Sequence, residues 1–209
     1  MTTQAAKSPA KPARVTKRRA QTRARLLDAA YRVFADLGFG RVRIEDVCAA
    51  AGYTRGAFYS QFDSLDELFF TLYDERAIVI ADQVTQALSG EAGDPSPDAA
   101  IDRIAKTLLL DRDWLLVKTD FLLRAARNSD VAQRLITHRG LLRDVIEQRV
   151  IATGIDIPTT LGSAAQAAQA VIAAYDGVTV QILLDNDLNA ARAHLKRLLA
   201  ALLLPSPHQ

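Results

Sequence analysis

The chain has 209 residues, 49% hydrophobic and 24% charged, a balance ordinary for a globular protein with one or two cores. Its longest uninterrupted apolar run, Leu198 to Leu204, falls short of the ~18 residues that cross a bilayer, and its basic start leads into no apolar signal core, so a cytoplasmic protein without a membrane span is expected. The net charge of +2 hides an asymmetry, because residues 1–62 hold twelve basic and four acidic side chains and the remainder fourteen basic and twenty acidic, which places any polyanion partner at the front.

Residues 1–19 mix Ala, Pro, Lys, Ser and Thr without apolar periodicity and are expected to form a disordered basic arm. From near Gln21, the residues Leu26, Leu27, Ala30, Tyr31, Phe34 and Leu37 recur at helical spacing, and Gly38 follows as a stop. Ile44, Val47, Cys48 and Ala51 repeat the pattern over two turns before Gly52. The single cysteine, Cys48, falls on that apolar face without a basic partner, which marks a structural thiol. Thr54 is a natural N-cap for a third helix of about two turns whose apolar edge is Phe58 and Phe62. Ser64-Leu65-Asp66-Glu67 reads as a capping box opening a fourth helix, with Leu68, Phe69, Leu72 and Tyr73 on its buried face. Two short helices joined at a glycine and braced by longer ones have the layout of a helix-turn-helix. The expected division is a basic arm at 1–19, a helix-turn-helix domain at 20–64 and a helical domain at 65–209.

Residues 90–97, Gly-Glu-Ala-Gly-Asp-Pro-Ser-Pro, are the clearest break in the chain. Helices are expected beyond it at about 98–110, 113–128, 130–153, 158–185 and 189–204. No strand alternation or hairpin signal interrupts them, so the fold class is all-α without internal repeats. On the 158–185 helix one stripe runs through Leu161, Ala165, Ala168, Ile172, Tyr175, Thr179 and Ile182, and a second through Ala164, Ala167, Val171, Ala174 and Val178. That exceeds the ~100° arc a surface helix needs. With the Leu-rich helix after it, residues 158–204 suit a homodimer interface.

Several short patterns carry no chemistry. Gly38-Phe39-Gly40 has neither the strand nor the third glycine of a dinucleotide loop. Asp185 to Asn189 opens like a calcium loop, but Ala190 and Lys196 stand where Gly and Glu are required. His138, His194 and His208 have no ligand spacing, so no metal or other cofactor is expected. No nucleophile, base and orienter set appears, which speaks against an enzyme.

A helix-turn-helix sets its second helix into the major groove of double-stranded DNA. Here that helix presents Thr54, Arg55, Gly56, Ala57, Tyr59, Ser60 and Gln61. Small residues at 56 and 57 allow a close backbone approach, Thr54, Tyr59 and Gln61 can donate to phosphates, and Arg55 can take a phosphate or a guanine edge. Lys17, Arg18 and Arg19 stand just before the first helix, where an arm can reach the backbone or the minor groove.

The run Arg25 to Leu68, "RLLDAAYRVFADLGFGRVRIEDVCAAAGYTRGAFYSQFDSLDEL", resembles the DNA-binding domain of the tetracycline-repressor (TetR) family. The likeness lies in A-x-x-x-F-x-x-x-G-F in the first helix, I-E-D-V-x-x-x-A-G through the second, T-R-G-A-F-Y-x-x-F in the third and S-x-x-E-L at the fourth. It implies a homodimeric regulator that binds a palindromic operator and, in most members, is a repressor released when a small molecule fills the carboxy-terminal core. A ligand-responsive activator and an architectural protein without sequence choice are the alternatives. The chain departs from the pattern at Arg43, where the family has Ser or Thr capping the second helix, and at Leu65, where a Lys is common. Arg41, Arg43 and the basic arm would offset this electrostatically. Trp114, Phe121 and Tyr175 are candidates to line a ligand cavity, with ordinary core as the other reading of each.

Overall fold

The computed structural model describes residues 13–88, 96–108, 110–153, 157–159 and 161–204. Among these the chain is helical throughout: α1 (Ala13–Leu37), a 3-10 turn (Phe39–Arg41), α2 (Ile44–Ala51), α3 (Arg55–Tyr59), α4 (Leu65–Leu88), α5 (Pro97–Thr107), α6 (Arg112–Ala125), α7 (Ser129–Thr153), α8 (Ala164–Asp185) and α9 (Leu188–Leu203). The fold class is all-α, as expected. Most of the 90–97 break lies outside the described residues, but Ser96 caps α5, its Oγ accepting the Ala99 N–H at 3.3 Å.

Several boundaries differ from expectation, α5 ending at Thr107 instead of 110 and α6 at Ala125 instead of 128. α1 begins at Ala13 rather than near Gln21, so Lys17, Arg18 and Arg19 stand on a helix; residues 1–12 of the expected arm lie outside the described residues. After Pro12 this stretch is free of Gly and Pro and rich in Ala, Arg, Lys and Gln, all good helix formers that continue the helix backward from its packed part. α3 has five residues, shorter than two turns. α8 starts at Ala164 instead of 158, because Gly162 takes φ 73° and Ser163 caps the helix by accepting the Gln166 N–H at 3.3 Å.

Two apolar clusters make the core. One joins α1, α2, α3, the first turns of α4, and the inward faces of α6 and α7, with Leu26, Phe34, Val47, Phe58, Phe62, Leu68, Phe69 and Phe121 nearly free of solvent. The other joins the last turns of α4 with α5, α6, α8 and α9 through Ile80, Ile101, Leu115, Val178, Leu195 and Leu199. α4 and α6 take part in both and tie the halves together.

Both stripes picked out on α8 turn inward in their central part, with Ala167, Ala168, Ala174, Tyr175, Val178, Thr179 and Ile182 buried. The exposed row is a third one, Gln166, Gln169, Ala173, Gly177, Val180 and Leu184. By length and composition α8 is apolar enough to cross a bilayer, with a mean hydropathy of 1.4, contrary to the expectation drawn from uninterrupted runs. Its buried inner face, its packing along α7 and α9 and an ion-paired Asp176 at mid-helix account for that composition within the fold.

Candidate nucleic-acid interface and ligand cavity

Gly52 ends α2 at φ 71°, the left-handed conformation that glycine takes without steric cost. The chain then turns, with the Tyr53 N–H on the Cys48 carbonyl at 2.9 Å. Thr54 caps α3, its Oγ1 accepting the Ala57 N–H at 3.3 Å. Phe58 and Phe62 are 0% and 1% exposed, their ring centroids 5.8 Å apart, and they pin α3 into the first cluster. That anchoring leaves Thr54, Arg55, Gly56, Tyr59 and Ser60 exposed on the outer side, with Ala57 and Gln61 half-buried at its edge. Ser60 Oγ donates to the Ala57 carbonyl at 2.7 Å and Gln61 Nε2 donates to Ser60 Oγ at 3.0 Å. Arg55 is already held by its own chain: its guanidinium lies 2.8 Å from the Glu45 carboxylate and donates to Tyr59 Oη at 3.3 Å.

The helix-turn-helix is braced by backbone caps and by α1. Arg43 supplies no side-chain oxygen to α2, but its own N–H donates to Asp46 Oδ2 at 2.8 Å, and Glu45 and Asp46 in the first turn suit the positive helix end. Arg43 itself is exposed. Ser64 Oγ accepts the Glu67 N–H at 3.1 Å, and the Glu67 carboxylate accepts the Asp63 N–H, so the capping pattern at α4 reaches one residue further back than the Ser64-to-Glu67 box. Lys17, Arg18 and Arg19 are exposed on α1, and Arg19 approaches the Ser60 carbonyl at 3.4 Å.

Arg23 is absent from the expected site. It donates to the Gln61 carbonyl at 3.0 Å and to Thr71 Oγ1 at 3.1 Å, and lies 4.3 Å over the Phe62 ring. One side chain thereby joins α1, the end of α3 and α4. A signal for it exists: 19, 23, 26 and 30 share one helical stripe, which the apolar pattern hides because its outer members are arginines.

A cavity of about 510 Å³ opens among α4, α6, α7 and α8. Trp114 and Tyr175 line it. Phe121 does not; it stacks on Phe69 at a centroid distance of 3.5 Å and meets Phe39 edge-on at 4.9 Å, inside the first cluster. The candidate at 121 is thus a core residue: it sits about one turn beyond Lys118, where α6 has left the cavity and packs into the first cluster. The polar wall is not among the expected features: Lys118 Nζ and the Arg139 guanidinium each lie 2.8 Å from the Asp176 carboxylate. Burial pulls the Lys118 ammonium below its ordinary pKa, outweighing the attraction of Asp176. Burial alone would raise Asp176, but the Lys118 ammonium, with Arg139, holds it below the usual carboxylate range. Tyr73 on the same wall is pushed up to about 12 by burial.

Comparison with known proteins bears on both halves. Residues 26–72 match the family model described as bacterial regulatory proteins, tetR family. The HTH-type transcriptional regulator AcrR of Shigella flexneri is 34% identical over 113 residues, 52% of this chain and 53% of that protein. TtgR of Pseudomonas putida, also an HTH-type transcriptional regulator, is 44% identical over 62 residues, 29% of this chain and 30% of that one. The chain thus spans about half or less of the length of these curated relatives. Among solved structures, a TetR-family regulator of Rhodococcus sp. superposes with a TM-score of 0.73 at 18% identity, covering 88% of this chain and 99% of that one. The fatty acid degradation regulator FadR of Bacillus halodurans does so at 0.67 and 17%, covering 90% and 97%. Matched residues 26–72 coincide with the helix-turn-helix and its α4 brace, and the likeness of fold extends over the helical remainder: this segment matches the DNA-binding domain of the tetR family of bacterial regulatory proteins, and the chain as a whole has the fold of solved TetR-family regulators.

Proposed function

We propose that the protein is a cytoplasmic, homodimeric, sequence-specific repressor that leaves a palindromic operator when a small molecule fills the cavity among α4, α6, α7 and α8. The observation that carries this is α3 itself, a helix pinned by Phe58 and Phe62 whose outer row of Thr54, Arg55, Gly56, Tyr59 and Ser60 is exposed and basic-flanked. Thr54, Arg55, Gly56, Ala57, Tyr59, Ser60 and Gln61, with Arg43 and the Lys17, Arg18 and Arg19 cluster, are the proposed DNA contacts. Residues 20–64 form the reading unit, and 65–209 serve ligand binding and dimerisation.

The exposed α8 row supports the dimer. Ala173, Gly177, Val180 and Leu184 are apolar, run in one line and face solvent in the single chain, with Val180 and Leu184 59% and 78% exposed. Small residues in its middle allow two copies of α8 to approach closely. A four-helix contact made by α8 and α9 of two copies would set two α3 helices roughly 34 Å apart, one turn of DNA.

α6 is the proposed transmitter. It gives Lys118 to the cavity, while Phe121 packs on Phe39 and Arg124 donates two hydrogen bonds to the Asp66 carboxylate, both at 3.0 Å, at the start of α4. A ligand that favours a different seat for α6 shifts the population away from DNA by its differential affinity for the two states.

The test is a titration of the full chain against a palindromic fragment from the gene's own promoter and a random duplex. Binding about 10³-fold tighter to the palindrome is expected. Equal affinity for the two would overturn the repressor and leave an architectural role.

A further inference from the structure

The cavity wall holds more positive charge than its acids neutralise. One carboxylate, Asp176, serves both Lys118 and Arg139. Two further cations line the same space: Arg76, 3.9 Å from Asp111 and stacked over Tyr31 and Trp114, and Arg143, which pairs with its neighbour Asp144 at 3.0 Å. Among the described residues, Asp176 is the only acid in the lining. Counting those three acids against four cations leaves one charge over, and it falls on the Lys118 and Arg139 pair. Lys118 is only 14% exposed, so water screens that excess poorly.

The rest of the wall is of the opposite character. Ile80, Val84, Leu108, Ile146 and Val171 form an apolar lobe, and Val84, Ile146 and Val171 also border a second, almost wholly apolar hollow of about 50 Å³ that reaches Pro158 and Leu199. A cationic head-site thus opens into a hydrocarbon-like tail-site, within the size range of ligand pockets.

We propose that the effector is a singly charged organic anion, a carboxylate or its equivalent, with an apolar body. Its oxygens accept from Lys118 Nζ and the Arg139 guanidinium beside Asp176, which stays bound, and its body lies on the lobe towards Val171. One negative charge completes the balance; a dianion would exceed it, and a cation would meet the excess positive charge that Lys118 and Arg139 share beside Asp176. This deepens the ligand-release function proposed above and rests on it for its biological meaning. The head contact also involves α6 directly, because Lys118 is on that helix.

The experiment uses the full chain and three probes of one length: octanoate, octan-1-ol and octyltrimethylammonium. Trp114, the chain's only tryptophan, lines the cavity and reports occupancy by its fluorescence, with calorimetry as the second readout. Octanoate is expected to bind at least about tenfold tighter than octan-1-ol, with the ammonium weaker still. Arg139→Gln and Lys118→Met should each abolish that preference while leaving octan-1-ol binding within about threefold. Octan-1-ol or the ammonium binding the unmodified protein as tightly as octanoate would overturn the proposal, as would no octanoate binding up to millimolar concentration; neither result depends on a variant folding. The same probes added to the protein on its promoter fragment separate the two claims. Octanoate that binds without releasing DNA leaves the anion site standing and removes the release mechanism. Release by the neutral or cationic probe alone does the reverse.

Discussion

Gly56 lies on the exposed face of α3, and a methyl group there would meet only Thr54 Oγ1, at the ordinary contact distance of 3.8 Å. Gly56→Ala should therefore fold and gain about 0.5–1 kcal/mol from the better helix former. If α3 lies against DNA, the same methyl group keeps the backbone from the groove, and affinity for the palindrome should fall at least about tenfold. A thermal melt and a mobility-shift titration read the two effects separately, and unchanged DNA affinity would remove position 56 from the interface. Arg55 behaves differently, because its Glu45 partner is 54% exposed and such surface pairs contribute only about 0–1 kcal/mol. Exchanging Glu45 for a phosphate or a base edge costs the folded chain little, so the pair can hold Arg55 ready without locking it. Thr54, Phe58 and Phe62 are legible in the sequence, since caps and apolar spacing act within a few residues. Arg23, Lys118 and Asp176 are not, because Lys118 and Asp176 meet across 58 positions and Arg23 reaches Gln61 across 38. A lone polar residue inside an apolar pattern does not name its partner.

At the scale of elements, α6 and α8 carry what the helix-turn-helix lacks. Arg124 joins the last turn of α6 to the first turn of α4 through two hydrogen bonds to Asp66, at helix ends whose dipoles favour those charges. The Arg124 side chain is 44% exposed but its partner Asp66 only 18%, so Arg124→Gln, which keeps a hydrogen-bond donor, should cost about 1–2 kcal/mol of stability. It should also weaken coupling: ligand still quenches Trp114, but the concentration that releases DNA rises several-fold. Parallel loss of ligand binding would show that Arg124 supports the cavity instead. On α8, Leu184→Asp puts a charge on the exposed row without touching the monomer core, since Leu184 is 78% exposed. It should leave the helical content intact and give a monomer in sedimentation, with palindrome affinity reduced at least about a hundredfold as the second half-site is lost. A Leu184→Asp protein that stays dimeric would place the interface elsewhere.

For the whole molecule, the uneven charge gives the DNA end a field that the rest lacks. Lys17, Arg18 and Arg19 are exposed on the outer turns of α1, and Arg19 approaches the Ser60 carbonyl just past α3 at 3.4 Å. Replacing all three by Gln should lower affinity for palindromic and random duplex by a similar factor. The slope of log affinity against log salt should become shallower by about 0.9 for each phosphate that a protomer no longer neutralises. An unchanged slope would show that these residues do not reach the backbone. The shared drop also distinguishes them from Gly56, whose effect should fall mainly on the specific site.

The sequence by itself determined the helical class, the position of the helix-turn-helix, the inward and outward faces of α3 and the caps at Thr54, Ser64 and Gly52, because each follows from spacing or backbone chemistry within a turn or two. The tertiary structure decided which of three possible rows on α8 faces solvent, since a helix apolar on nearly every side carries no periodic signal to choose between them. It also decided that Phe121 is core while Lys118 on the same helix turns into the cavity, and that one aspartate from α8 serves two cations from α6 and α7. Those outcomes depend on the mutual rotation of packed helices, and rotation is set by how distant side chains interlock rather than by any residue's neighbours in the chain.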